Sequence, residues 1–143
     1  MQQIQQEILS NFKDRQTVDL ATCEGLQPRL RPMTLICKQN RFFMATGSTD
    51  AKVNQIRSNP ACEILYLMRN ESNSGYIRLA GDLVTITDQQ TRKDIADFSS
   101  YIYNYWESPD DPGYVLLELI PREAQLMKPG EMYAQTIQWE SHQ

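Results

Sequence analysis

Three groups of residues in the first half of the sequence have types and spacings suited to holding an anion. Arg29 and Arg31 alternate in the run PRLRPM, Thr46-Gly47-Ser48 closes the run RFFMATGS, and Lys52 follows six residues after Thr46. Hydroxyls and backbone amides at a helix start, with Lys and Arg nearby, offer a phosphate dianion hydrogen-bond donors and positive charge together, and no metal is needed. The same Ser, Thr and Gly also serve as ordinary caps, so spacing alone leaves both readings open. Arg29 has a second reading too, as the partner of an acidic neighbour. Other chemistries are poorly supplied. Cys23, Cys37 and Cys62 are odd in number and form no CxxC, which fits buried free thiols rather than a disulfide scaffold or a zinc site. His142 is the single histidine, so neither a central histidine base nor a His-rich metal site is expected.

Neighbouring elements must position these groups. Ile4, Ile8, Leu9 and Phe12 at helical spacing predict a short amphipathic helix over Gln2 to Phe12, one face against a sheet. Thr17 to Cys23 alternates as a strand, and Glu24-Gly25 turns it into an extended run from Pro28 to Cys37. Pro32 has no N–H to give a ladder, so an edge or bulge is expected there. Lys38-Gln39-Asn40 leads into a strand from Arg41 to Thr46, and Ser48-Thr49-Asp50 offers caps for a helix carrying Val53 and Ile56 to near Asn59-Pro60. Strands follow at Cys62 to Met68 and at Tyr76 to Thr87, with a bulge at Gly81. Asp88 caps a helix whose Ile95, Phe98, Tyr101 and Ile102 form an apolar face down to about Trp106. After a loop from Glu107 to Gly113, a strand runs from Tyr114 to Ile120, breaks at Pro121 and resumes from Ala124 to Met127. About six strands in mostly sequential hairpins, with about three helices, predict a mainly β fold, a small antiparallel barrel with peripheral helices. With no repeat or low-complexity linker, the sequence reads as one domain over residues 1–143.

Charge narrows the ligand. The chain has 143 residues and a net charge of −4, but residues 1–60 carry eight Lys and Arg against five Asp and Glu, whereas residues 61–143 carry six against thirteen. Between Gln27 and Arg57, six basic residues face only Asp50. A basic stretch inside an acidic protein suits a small anionic ligand and disfavours a nucleic-acid backbone; the plainer alternative is a solvated strand face. No apolar run approaches the roughly 20 residues of a membrane span, and the start MQQIQQEILSNFKDR lacks a secretory layout, so a cytoplasmic location is expected.

The order LATCEGLQPRLRPMTLICKQNRFFMATGSTDAKVNQIRSNPACEILY, then YIRLAGDLVTITD, then DDPGYVLLELIPREAQLMKPGE, resembles the pyridoxamine 5′-phosphate oxidase-like family of FMN-binding split β-barrels, above all its short general-stress-protein branch. The resemblance spans about Thr17 to Tyr133. Its most specific parts are PRLRPM, the Thr46 and Lys52 pair, and Asn59-Pro60. It implies a homodimer binding two FMN molecules at the subunit interface, with Arg31 and Lys52 on the phosphate, Thr46, Gly47 and Ser48 beside it, and Pro32, Met33 and Thr34 along the isoalloxazine edge. Two departures stand out. Asp50 and Ala51 occupy places where the oxidase has serine and arginine, and a carboxylate facing a phosphate would repel it, so Asp50 is expected to cap the helix with its side chain outward. No arginine follows Arg122, so the oxidase's second phosphate site lacks its cation, and true pyridoxamine-phosphate oxidase activity is not expected. The resemblance implies a flavin-dependent oxidoreductase of unknown small-molecule substrate, with catalytic residues unassigned, or else a module that binds flavin or a related cofactor without turnover. Trp106, Tyr103 and Tyr105 read either as a pocket wall or as core and dimer contacts, and Tyr133 and Trp139 likewise.

Overall fold

A computed structural model describes residues 2–141; His142 lies outside the described residues. Helix α1 (Gln3–Ser10) leads into strands β1 (Arg15–Glu24), β2 (Gln27–Lys38) and β3 (Arg41–Gly47), then helix α2 (Ala51–Ser58). Strands β4 (Ala61–Arg69) and β5 (Ser74–Thr85), helix α3 (Gln89–Phe98), strand β6 (Tyr114–Met127) and strand β7 (Gln135–Gln138) complete the order. All pairings are antiparallel, in the sequence β3-β2-β1-β4-β5-β6-β7, and β3 also pairs with β6, which closes six strands into a ring. The mainly β fold with three helices is as expected; β7, hung on β6 outside the ring, was not.

The ring is not a regular barrel. Only Ile36–Lys38 of β2 pair with β3, so Gln27 to Leu35 is held in the sheet by β1 alone among the described residues. Pro32, opposite Asp19 of β1, therefore sits on the free edge its missing N–H required. The β2–β3 turn is tight because Gln39 and Asn40 both adopt positive φ, 52° and 62°, the conformation of a hairpin turn that follows strand twist.

Two sequence expectations need correction. Pro121 does not interrupt β6: it lies opposite Gly81 where the register of β5 and β6 shifts, and the bulge absorbs a residue that cannot donate. Gly81 is needed there because an added Cβ would collide with the carbonyl oxygen of Ile120. The apolar helix after Asp88 is also two pieces. Asp88 accepts from the Thr91 amide as a cap, but α3 stops at Phe98, and Ser100–Asn104 forms a separate 3₁₀ turn. Consecutive Ser, Tyr and Ile residues there favour helix poorly.

Alternation along the strands divides the core. Leu20, Leu35, Met44, Ile64, Leu79 and Leu117 fill the ring, with Ile8 of α1 closing one side. Ile36, Phe43 and Leu116 face outward and pack against Ile95, Ala96 and Ile102 of α3 and the 3₁₀ turn. Thus RFFMAT reads as a continuous apolar run because both of its faces are covered. The free-thiol expectation holds for all three cysteines, but only Cys62 is fully buried, while Cys37 is half-buried and Cys23 exposed at the end of β1. Burial pushes the Cys37 and Cys62 thiols up to about 12. Among the described residues, no helix is long and apolar enough to cross a membrane.

Candidate functional site

At the end of β3 the chain turns through Ser48 and Thr49 into α2. The Ser48 amide donates to the Gly113 carbonyl at 2.9 Å, and the Asp50 amide to Gly47 at 3.1 Å, which fixes the turn. Asp50 is the N-cap: its Oδ1 accepts the Lys52 amide at 3.0 Å. Its other oxygen, Oδ2, lies 2.7 Å from Lys52 Nζ. The expected outward orientation is therefore only half realised, because a carboxylate has two acceptors and can cap with one while pairing with the other. Lys52 Nζ also donates to Thr46 Oγ1 at 2.7 Å. The Lys52 side chain is 5% exposed, whereas that of Asp50 is 43% exposed.

Arg31 reaches the same place from β2. Its Nη1 donates to the Leu20 carbonyl at 3.2 Å and its Nη2 to Gln55 Oε1 at 3.0 Å. Gln55 lies one helical turn beyond Lys52 and also accepts from Thr22 Oγ1 at 2.8 Å. Arg31 and Lys52 are thereby brought together across the gap between β2 and α2. Burial lowers Arg31 from its usual value, partly offset by the Asp50 charge. Burial alone would raise Asp50, but hydrogen bonds from the Lys52 ammonium and amide, with the charges of Lys52 and Arg31, hold it below the usual carboxylate value.

Pro32, Met33 and Thr34 continue along the free edge of β2, next to Arg31. Tyr101 of the 3₁₀ turn has the Arg15 guanidinium 5.2 Å from its ring. Gly47 and Ser48 lie on the turn; an added Cβ at Gly47 would meet nothing, so close packing does not demand glycine there. Arg29 is apart from this group, paired with Glu24 at 3.1 Å. Trp106 packs on Tyr114 in the cluster under α3, and Trp139 on Phe42 at the ring, so both are packing residues, while Tyr105 and Tyr133 are exposed. Sequence reasoning missed Thr22 and Gln55 as members of this group. Gln55 carried one signal, a polar side chain on the same face of α2 as Lys52 and Ile56.

The arrangement has the chemistry of an anion site flanked by an open strand edge. A family model described as pyridoxamine 5′-phosphate oxidase matches residues 4–128, which includes every residue of this group. The chain belongs to the pyridoxamine 5′-phosphate oxidase family. General stress protein 26 of Bacillus subtilis (strain 168) is 28% identical over 131 residues, covering 91% of this chain and 92% of its own. The crystal structure of General Stress Protein 26 from Bacillus anthracis str. Sterne superposes with a TM-score of 0.76 at 18% identity, over 96% of this chain and all of that one. A pyridoxamine 5′-phosphate oxidase-related, FMN binding protein from Nostoc punctiforme PCC 73102 superposes with a TM-score of 0.64 at 19% identity, over 87% of this chain and 88% of the other. These structural likenesses establish the shared split-barrel fold.

Proposed function

We propose that this chain is an FMN-binding flavoprotein, an oxidoreductase acting on a small molecule as a cytoplasmic homodimer with FMN at the subunit interface. The observation that carries the reading is the convergence of Arg31, Lys52 and Thr46 at the start of α2, beside a strand edge with open backbone groups. The FMN-binding relative from Nostoc supports the choice of cofactor. The donor set fits a phosphate: an ammonium and a hydroxyl at the start of α2, with a guanidinium held on Gln55 one turn further along. FMN, when bound, supplies hydride and single-electron transfer. In this reading Arg31, Lys52, Thr46 and Ser48 hold the phosphate, and Gly47 lets the turn approach it. Pro32, Met33 and Thr34 lie along the ring, where backbone groups of β2 orient its polar edge. Support for the homodimer comes from a neighbouring surface on β1, β2, β4 and β5. Leu30 and Leu67, 72% and 51% exposed, line a shallow apolar depression with Ala21, Leu65 and Tyr76, a surface suited to a second copy.

The test is direct. Purified protein incubated with FMN and desalted should keep flavin absorbance in a species of twice the 16.6 kDa chain mass, and a nicotinamide nucleotide should bleach it anaerobically. Retained flavin without bleaching would make the protein a carrier rather than an oxidoreductase; no retained flavin would remove the reading.

A further inference from the structure

We propose that Asp50 is a specificity-determining residue: its carboxylate takes the place of a ligand anion on Lys52 and weakens the preference of the site for phosphorylated over unphosphorylated flavin. The inference rests on the flavin reading above. Lys52 is a buried ammonium whose neighbours are a hydroxyl and a carboxylate, Thr46 Oγ1 and Asp50 Oδ2, each at 2.7 Å. With Asp50 present the group of Arg31, Lys52 and Asp50 has a net charge of +1, whereas a phosphate monoester brings about −1.5 to −2. A phosphate oxygen reaching Lys52 would share one ammonium with a carboxylate, and like charges at that separation repel strongly where solvent is scarce.

Two structural details make Asp50 an adjustable element rather than a fixed block. Its side chain is 43% exposed, so it can turn toward water, but turning breaks the cap bond to the Lys52 amide as well as the ion pair. Phosphate binding therefore competes with two existing contacts of Asp50. An unphosphorylated ribityl chain meets the opposite situation. Its hydroxyls are donors, and a carboxylate held at the helix start is an acceptor for them. The same side chain thus opposes FMN and accommodates riboflavin. Arg31 is not blocked in this way, since only Nη1 and Nη2 contacts to Leu20 and Gln55 engage a group with five N–H donors.

The experiment titrates FMN and riboflavin into the wild type, Asp50→Asn and Asp50→Ser, following flavin fluorescence at low salt, with circular dichroism confirming the fold. Asn and Ser both cap helices, so the variants remove the charge and keep the cap. FMN should tighten by about tenfold in either variant while riboflavin stays unchanged or weakens, and added salt should shrink the FMN gain. Riboflavin tightening as much as FMN, or neither ligand responding in a folded variant, would overturn the proposal and leave the flavin site standing. Binding of neither flavin by any of the three proteins would overturn the flavin reading and the proposal with it.

Discussion

Strand β3 carries an ion pair near each end, and the two are built differently. At its start, Arg41 grips both oxygens of Glu118 on β6, through Nε at 2.8 Å and Nη2 at 2.7 Å, and stacks 4.9 Å from the Phe43 ring. That carboxylate is 10% exposed and both of its oxygens are bound by one planar fork, so the pair is geometrically complete. The hydrogen bonds to Glu118 raise Arg41 above its usual value. Beyond the other end, the buried partner is the cation, Lys52, and the Asp50 oxygens are divided between an amide and an ammonium. Arg31 adds a second positive charge there, and buried Thr22, Thr46 and Gln55 complete a polar cluster. One end is a clamp joining two strands; the other has an excess of donors over acceptors, the feature on which the proposed anion site rests.

Breaking the clamp should have the largest effect. Arg41→Met leaves the Glu118 carboxylate without a partner on a covered face, and the expected loss is about 2 kcal/mol, below the range for fully buried pairs because Arg41 is itself half-exposed. Urea denaturation measures it, and flavin affinity of the folded variant should be unchanged. A stability loss under about 0.5 kcal/mol would mean that the two ends of β3 are energetically alike.

At the other end the effects should reverse. Arg31→Ala removes contacts to Leu20 and Gln55, but Thr22 still donates to Gln55 Oε1, so stability should fall by only about 1 kcal/mol. FMN affinity should drop by about tenfold or more, and riboflavin affinity much less, because only FMN has the phosphate a guanidinium would hold. Equal losses for both flavins, read by the same titrations, would place Arg31 in the structure and outside the site.

The contrast between the two ends was only partly legible in the sequence. Thr46, Lys52 and the Asp50 cap depend on spacing within a few residues, and so does the Gln39-Asn40 turn that sets β3 in register; local rules reach them. Asp88 and the Gly81 bulge were legible for the same reason. The pairing of Arg31 with Gln55 across 24 positions and of Arg41 with Glu118 across 77 depends on how the ring closes. Pro121 shows the limit from the other direction. A local rule marks it as a strand breaker, yet the bulge opposite Gly81 satisfies that rule without ending the strand. Only one oxygen of Asp50 is legible from sequence: capping is a local property, whereas reaching the Lys52 ammonium depends on burial of that side chain.

The smallest effect follows from acid. Asp50 is held below its ordinary value of 3.8, so its stabilising contribution is fully present above that pH and is lost as the pH falls through the lower folded-state value. Protonation ends the ion pair with Lys52 and leaves a neutral group that resembles asparagine in shape. Asp50→Asn should therefore be less stable than the wild type at neutral pH, and the two should converge as the pH falls through the lowered folded-state value of Asp50. Other carboxylates titrate equally in both proteins, so the difference between their denaturation midpoints isolates Asp50. A difference between Asp50→Asn and the wild type that persists unchanged into acid would show that the side chain acts through its shape at the cap and not through its charge on Lys52.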